Sequence, residues 1–295
     1  MDFAGSYVAL VSPWREDLSG IDYSQLRDLL EWHIAAKTDG IIPAGTTGES
    51  ATLSHREQEE LIAKTVELVS GRIPVVAGAG SNRTDEAVSL AKSAEASGAN
   101  ALLVITPYYN RPTQEGLYRH FVTIANATSL PLMLYNVPSR TGVNLLPETL
   151  VRIAAEAPNV QAIKEASGSV DQTSRIISLL GDKVSVLSGD DSLTVPLMSL
   201  GAKGVVSVVA NVLPGEVRAM AAAALAGDFS AARRQHYHLQ PLMKALFVET
   251  NPGPVKAALG LLGKIRPTLR LPLLPPSPES LEVIRVALRE CGVQA

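Results

Sequence analysis

The hydrophobic residues of this chain fall into eight short runs, and each run is followed by a stretch with helical spacing. Runs that are almost continuously apolar are typical of parallel strands buried on both faces. Their alternation with helical stretches indicates repeated β/α units around a parallel sheet. The predicted strands are Tyr7–Val11, Gly40–Ala44, Pro74–Gly78, Ala101–Thr106, Pro131–Asn136, Val160–Lys164, Val184–Ser188 and Gly204–Val209.

Several residues between the runs carry helix-start signals. Ser54 and Glu57 have the spacing of a capping box ahead of an apolar helical stretch. Thr84 and Thr113 are predicted N-caps, and Pro147 suits the first position of a helix. After position 212 the chain is helical and rich in alanine, and no further strand is predicted there.

We therefore predict an α/β fold. Residues 1–224 form a (β/α)8 barrel, the TIM barrel, and residues 225–295 form a C-terminal helical extension. An open doubly wound sheet usually has fewer strands and more often shows a glycine-rich dinucleotide motif after the first strand, which this chain lacks. In such a barrel the functional side chains lie at the carboxyl ends of the strands.

Composition and charge bear on the partners and the location of the protein. The chain has 295 residues and a formal net charge of −3, so there is no electrostatic reason to expect nucleic acid or an anionic membrane as a partner. The single cysteine, Cys291, excludes a disulfide within the chain and suits a reducing compartment. The first residues lack the basic segment of a signal peptide, and no apolar run reaches the about 18 residues that span a bilayer. We expect a cytoplasmic protein.

The ends of the predicted strands carry side chains that are able to do chemistry. Each alone has an ordinary structural interpretation, such as a tight loop, a packing tyrosine or a solvated arginine. Their joint placement at one end of a barrel favours an active site. They are Thr46 and Thr47 in a GTTG loop, Tyr108 and Tyr109, Tyr135 followed by Arg140, Lys164, and Gly189 before two aspartates.

Lys164 has a definite chemical use in this position. Burial disfavours the charged form of an amine, and a neutral amine attacks a ketone to form a Schiff base that withdraws electrons. No cluster of His, Asp and Glu with the pattern of a metal site stands at the strand ends. The residues favour metal-free covalent chemistry on a keto acid, and a structural lysine is the alternative.

Six motifs, in this order and spacing, resemble those of the dihydrodipicolinate synthases: GTTGESATL, YNVPSRTG, IKEASG, LSGDD, GVVSV and FVETNPGPVK. The resemblance extends from Gly5 to the final helix. The wider family is the pyruvate-dependent class I aldolases, which include N-acetylneuraminate lyase. The resemblance implies a lyase without a cofactor that condenses pyruvate with L-aspartate 4-semialdehyde through a lysine Schiff base. The product would be 4-hydroxy-tetrahydrodipicolinate, in the first committed step of diaminopimelate and lysine biosynthesis.

The resemblance also implies the catalytic residues. Lys164 matches the Schiff-base lysine, and Tyr135 matches the tyrosine that moves protons during imine and C–C bond formation. Thr47 and Tyr109 match the rest of a proton relay, in which the tyrosine equivalent to Tyr109 comes from a neighbouring subunit. The implied assembly is a homotetramer built from two tight dimers.

Substrate-binding residues follow from the same resemblance. Thr46 and Thr47 match the threonines that bind the pyruvate carboxylate, and Arg140 matches the arginine that holds the carboxylate of the semialdehyde. Gly189 and Val206 match residues that line the pyruvate pocket, although isoleucine often stands at the position of Val206.

Family members that respond to L-lysine bind it at the tight-dimer interface, so the resemblance implies lysine as a possible effector. Sensitive members often carry a second histidine where this chain has Gln58, and ordinary interface residues are the alternative interpretation. The matching positions are Ser50, Ala51, His55, Asn82, Glu86 and Tyr108.

Two other functions stay open. A sibling aldolase acting on a sugar acid would keep the lysine and the tyrosine, but such members commonly lack an arginine at the position of Arg140. A non-catalytic barrel that only binds a small keto or amino acid would have no use for Lys164, Tyr135, Thr47 and Tyr109 together.

Overall fold

The computed structural model describes residues 1–294, and the predicted strands are confirmed. Their ends differ slightly from the predicted ones. The strands are β1 Gly5–Ala9, β2 Gly40–Ile42, β3 Val76–Gly78, β4 Ala101–Ile105, β5 Leu132–Asn136, β6 Val160–Glu165, β7 Ser185–Ser188 and β8 Gly204–Ser207.

The eight strands form one parallel sheet that closes on itself. Hydrogen bonds link the strands in the order β2, β1, β8, β7, β6, β5, β4, β3. The two outer members, β2 and β3, meet through a parallel bridge between Ile41 and Val75, and the Ile41 amide donates to the Pro74 carbonyl at 2.9 Å. The predicted barrel is therefore confirmed, and the carboxyl ends of its strands surround one mouth.

Alternation along each strand separates the barrel interior from the layer beneath the helices. Met133 and Tyr135 of β5 belong to the interior cluster, whereas Leu134 between them packs in the outer layer. Ala162 of β6 belongs to the interior cluster as well. Because side chains alternate with a period of two, Lys164 also points toward the interior, at the carboxyl end of β6.

Helices cover the outside of the barrel and form the C-terminal extension. They are α1 Tyr23–Ala35, α2 His55–Val69, α3 Thr84–Ala96, α4 Gln114–Ala125, α5 Pro138–Thr141, α6 Pro147–Glu156, α7 Val170–Leu180, α8 Thr194–Ser199, α9 Pro214–Leu225, α10 Phe229–Ala245, α11 Gly253–Leu261 and α12 Pro278–Glu290. α9 packs against β1 and α10, and α10 packs against α12. α9 runs across the predicted division at residue 224, and that division stays a prediction. None of the helices within residues 1–294 combines the length and apolar character needed to cross a bilayer.

One predicted helix start is wrong. Thr84 is the first residue of α3, and the preceding residue, Arg83, is its N-cap. The Thr84 hydroxyl is hydrogen-bonded to Nδ1 of His120 at 2.9 Å, so it faces α4 and does not cap its own helix. The other predicted starts are confirmed, namely the Ser54–Glu57 capping box, the Thr113 N-cap and Pro147 at the start of α6.

β2 and β8 are among the strands that end earlier than predicted, and both of these differences lie at the mouth. β2 ends at Ile42, because Ala44 adopts a left-handed φ of 55° that turns the chain out of the strand. β8 ends at Ser207, and residues 209–211 form a short 3-10 helix. The residues released from both strands build loops at the carboxyl end of the barrel.

Candidate active site

The carboxyl ends of the strands surround a cavity of about 390 Å³ at the barrel mouth. Six of the predicted site residues line it: Thr46, Thr47, Tyr135, Arg140, Lys164 and Gly189. The rest of the wall consists of Val137, Ser139, Ala166, Asp190, Ser192, Val208, Met243, Phe247 and Asn251. Within residues 1–294, no group of three or more His, Cys, Asp and Glu side chains is placed to hold a metal ion.

Lys164 is buried on the wall of this cavity, with 5% of its surface exposed. It pairs in register with Tyr135 of β5, and its Nζ lies 4.1 Å from the centroid of the tyrosine ring. The salt bridges formed by residues 1–294 do not include this amine. A buried amine without a carboxylate partner is suited to attack on a carbonyl group.

Gly189 keeps the space beside the lysine open. A Cβ atom at this position would lie 2.6 Å from the Cβ of Ala166 and 3.1 Å from the Cε of Lys164. The Gly189 amide donates to the Glu165 carbonyl at 2.7 Å, which holds the backbone close to β6. Glycine is the residue that permits this close approach without moving the lysine.

A buried carboxylate fixes the chain just after Lys164. Glu165 accepts hydrogen bonds from Nδ2 of Asn136 at 3.0 Å, from the Ser167 amide at 2.7 Å and from Nε2 of Gln172 at 3.2 Å. These donors come from the end of β5, from the loop after β6 and from α7. The ends of β5 and β6 are therefore held together, with Tyr135 and Lys164 on them.

The loop that follows β2 brings two threonines to the cavity. Thr47 is buried, and its Oγ1 accepts a hydrogen bond from Nδ2 of Asn251 at 3.0 Å. Because this oxygen serves as the acceptor, the Thr47 hydroxyl can donate its own proton to another group. Arg140 lies across the mouth, with Nη2 3.5 Å from the carbonyl oxygen of Asn251.

Sequence reasoning missed the wall that the C-terminal extension supplies. Met243 lies in α10, and Phe247 and Asn251 lie between α10 and α11. The FVETNPGPVK motif contains Phe247 and Asn251, and it was the one feature of the sequence that pointed to this part of the wall. No local pattern shows where that segment packs, because it reaches the cavity from the opposite end of the chain.

Two of the predicted catalytic and substrate-binding residues do not line this cavity. Val206 of β8 is buried in the barrel interior, paired in register with Tyr7 of β1. Tyr109 is 90% exposed and has a left-handed φ of 73°. Large side chains with apolar surface are seldom this exposed. The predicted role of Tyr109 in a neighbouring subunit stays a prediction.

A second cavity, of about 600 Å³, lies beside the first and shares Thr46, Arg140 and Asn251 with it. Five of the six predicted effector residues line it: Ser50, Ala51, His55, Glu86 and Tyr108. The sixth, Asn82, is outside the lining and donates from Nδ2 to the Tyr108 carbonyl at 3.1 Å.

Glu86 already has partners in the second cavity. Its carboxylate contacts Nε2 of His55 and accepts a hydrogen bond from the Ser81 hydroxyl. Gln58 also lines the cavity, but its amide donates to the Gly78 carbonyl at 2.8 Å. An incoming ammonium group would therefore meet a carboxylate in contact with a histidine.

The fold and the buried amine define a class, the closed (β/α)8 barrels that present a lysine at the carboxyl end of a strand. Residues 2–291 match the profile of the dihydrodipicolinate synthetase family. The chain belongs to this family.

Relatives extend over nearly the whole chain. A 4-hydroxy-tetrahydrodipicolinate synthase from Thermodesulfovibrio yellowstonii is 50% identical over 291 residues, which are 99% of each chain. The crystal structure of dihydrodipicolinate synthase from Aquifex aeolicus has a TM-score of 0.97 and 48% identity, with 99% of each chain covered. The enzyme from Cyanidioschyzon merolae, solved with lysine bound, has a TM-score of 0.96 and 41% identity, again with 99% of each chain covered.

Gly189→Ala tests the space beside Lys164. We expect the added methyl group to hinder the approach of a keto acid to the amine, because it would lie too close to both the lysine stem and Ala166. Displacement of a reacting group by about 1 Å costs about 10²-fold in rate. The measurement is the rate at which borohydride traps a pyruvate adduct, followed by mass spectrometry. Gly215→Ala is the matched control, since nothing lies within 4 Å of a Cβ there. Equal trapping rates in both variants would show that the close approach is unimportant.

Proposed function

We propose that this chain condenses pyruvate with L-aspartate 4-semialdehyde to give 4-hydroxy-tetrahydrodipicolinate. The observation that carries the proposal is the buried amine of Lys164, which has no salt bridge among residues 1–294 and lies beside Tyr135 in a cavity at the mouth of a barrel of this family. Relatives with this name are about half identical over almost the entire chain, which supports the same reaction here. The step would begin the diaminopimelate route to lysine.

Lys164 forms the covalent intermediate. Its Nζ adds to the keto carbon of pyruvate, water leaves, and an imine results. Loss of a methyl proton converts the imine to an enamine, whose carbon attacks the aldehyde carbon of the second substrate. The amine of that substrate then displaces Lys164, and the cyclic product leaves. The iminium nitrogen accepts the electron pair, so the lysine itself supplies the electron sink.

Tyr135 and Thr47 move protons during these steps. The tyrosine ring lies against the lysine amine, so the phenol is near the nitrogen that forms the imine. The hydroxyl of Thr47 receives a hydrogen bond from Asn251, which leaves its own proton available for the relay. General acid–base groups placed in this way contribute about 10²- to 10⁴-fold to a rate.

The two carboxylates of the substrates bind at separate places. Thr46 and Thr47 bind the carboxylate of pyruvate, beside the space that Gly189 keeps open. Arg140 at the mouth binds the carboxylate of the semialdehyde, and a guanidinium group can do so through two parallel hydrogen bonds. The presence of Arg140 also favours this reaction over cleavage of a sugar acid.

Trapping with pyruvate and borohydride tests the covalent step. We expect added mass on the peptide that contains Lys164, and Lys164→Ala should lose the adduct and several orders of magnitude of turnover, as removal of a nucleophile usually does. Lys203→Ala, at a half-buried lysine that does not line the cavity, is the control. Turnover is then compared between aspartate semialdehyde and a sugar acid. An adduct on another lysine contradicts the mechanism, and turnover of the sugar acid alone contradicts the assigned substrate.

Tyr109 completes the relay of a neighbouring subunit within a homo-oligomer, a tetramer of two tight dimers. The support for this is the exposure of its side chain, which reaches no part of the cavity in its own chain. Exposed Tyr108 next to it and exposed Leu271 and Leu274 add apolar surface of the kind that subunit interfaces bury.

Mixed dimers test whether Tyr109 acts across the interface. Lys164→Ala and Tyr109→Phe chains are produced together with two different tags and purified as mixed dimers. One site of each dimer then has both groups, so we expect about half of the wild-type activity from two nearly inactive parents. Lys164→Ala paired with a Lys164→Ala/Tyr109→Phe chain is the control and should stay inactive. Mixed dimers as inactive as the parents would contradict donation across the interface.

L-Lysine inhibits through the second cavity. Glu86 pairs with the α-ammonium group of the effector and gives up its contact with His55, which turns to the side-chain amine. Tyr108 and Asn82 bind the carboxylate, and Ser50 and Ala51 complete the wall. The support is the clustering of these residues around a cavity that shares Arg140 and Asn251 with the first.

A lysine titration at fixed substrate concentrations tests the effector site. We expect inhibition in the millimolar range or below, where metabolites act. Glu86→Ala should weaken it about 10-fold or more, since a hydrogen bond to a charged group is worth about 1.5–3 kcal/mol. Each variant is compared with its own uninhibited rate, and Glu148→Ala at an exposed carboxylate is the control. Inhibition that survives Glu86→Ala unchanged would place the effector elsewhere, and a flat wild-type titration would contradict the proposal.

A further inference from the structure

A second buried lysine lies outside the chemistry described above. Lys256 of α11 is fully buried, and its Nζ donates to Oε1 of Glu49 at 2.6 Å and to the Ser12 carbonyl at 2.8 Å. The side chain of Glu49 is also fully buried. The same carboxylate accepts hydrogen bonds from Nε1 of Trp14 at 2.9 Å and from the Arg270 amide at 3.3 Å.

Stability alone explains this ion pair poorly. Removing two charges from water is costly, and an apolar pair of similar volume is often as stable or more so. Burial lowers the pKa of Lys256 to about 8, although the Glu49 carboxylate acts in the opposite direction.

The pair is attached to the loop that carries the pyruvate-binding threonines. Glu49 stands two residues after Thr47 and has a left-handed φ of 56°, a conformation that non-glycine residues rarely adopt. Its amide donates to the Thr46 carbonyl at 3.1 Å. One residue earlier, the Gly48 carbonyl accepts from the Ser12 hydroxyl at 2.7 Å. The loop is thus held on one side by the segment that follows β1 and on the other side by α11.

The residues just before α11 also contact Thr47 directly. Asn251 stands five residues before Lys256, and its Nδ2 donates to the Thr47 hydroxyl at 3.0 Å. Oδ1 of Asn251 is buried and has no hydrogen-bond partner within residues 1–294. The contact of Asn251 with the Thr47 hydroxyl is therefore only five residues along the chain from the anchor of α11 on Glu49.

We propose that the Lys256–Glu49 pair is a positioning device for the reaction: it clamps the helical extension onto the loop of Thr46 and Thr47 and sets the Thr47 hydroxyl toward Lys164 and Tyr135. Neither residue lines the cavity that contains Lys164. The inference rests on the proposed function, because its effect is a change in the rate of the relay.

Lys256→Met and Glu49→Gln test the clamp. Pyruvate trapping with borohydride counts the intact sites, and kcat and the two KM values are then expressed per trapped site. We expect kcat to fall about 10²-fold, with smaller changes in KM for pyruvate. The double variant leaves no unpaired charge in the interior. It therefore allows kcat to be measured even if a single variant does not fold. Leu259→Ala, in the same helix and fully buried, is the control for lost stability and should keep a wild-type kcat per site.

The route through Asn251 has its own readout. If the pair acts by placing Asn251, then Lys256→Met should cost little further in an Asn251→Ala background, whereas independent effects would multiply. A wild-type kcat per trapped site in Lys256→Met and in the double variant overturns the inference, and multiplying effects overturn this route. Absence of turnover in the wild-type protein would instead contradict the proposed function, and the clamp with it.

Discussion

Closure of eight parallel strands into a barrel is the constraint on which the rest of this molecule depends. Closure removes the sheet edges and turns alternate side chains into an interior filled by apolar residues. Because side chains alternate along a strand with a period of two, the side chain of Lys164 at the end of β6 points into the barrel. An amine in that place lies beside the Tyr135 ring on the wall of a cavity, and it is far less exposed to bulk water than a surface lysine.

Buried carboxylates hold the loops around the mouth. Glu165 fixes the chain after β6 and Glu49 the loop after β2, each through several donors. Asp191 accepts from the Ser207 hydroxyl and from the amides of residues 208 and 209, and burial raises the pKa of this aspartate. Buried polar groups that are fully bonded give a rigid frame, and a rigid frame is what a preorganised site requires.

The two buried lysines differ in a way that separates structure from chemistry. Lys256 has a carboxylate and a carbonyl as acceptors, so its ammonium form is compensated and its position fixed. Lys164 has an aromatic ring beside it and no salt bridge among residues 1–294. Lys164 lines the cavity, where a small molecule can reach it. Lys256 lies outside the cavity and fixes the segments that form its wall. Arg140 and Asn251 line both cavities, so a ligand bound in the second cavity can affect the wall of the first.

The sequence by itself determined the eight strands, the capping box before α2 and the place of Lys164, because apolar period and strand ends are local properties of the chain. Thr84 marks the limit of local reasoning, since its hydroxyl bonds to His120 of another helix. Only the tertiary structure decided that Asn251 meets Thr47 and that Lys256 meets Glu49, pairs 204 and 207 residues apart. Contacts of that kind depend on how the C-terminal helices pack against the finished barrel, and no period along the chain encodes that packing.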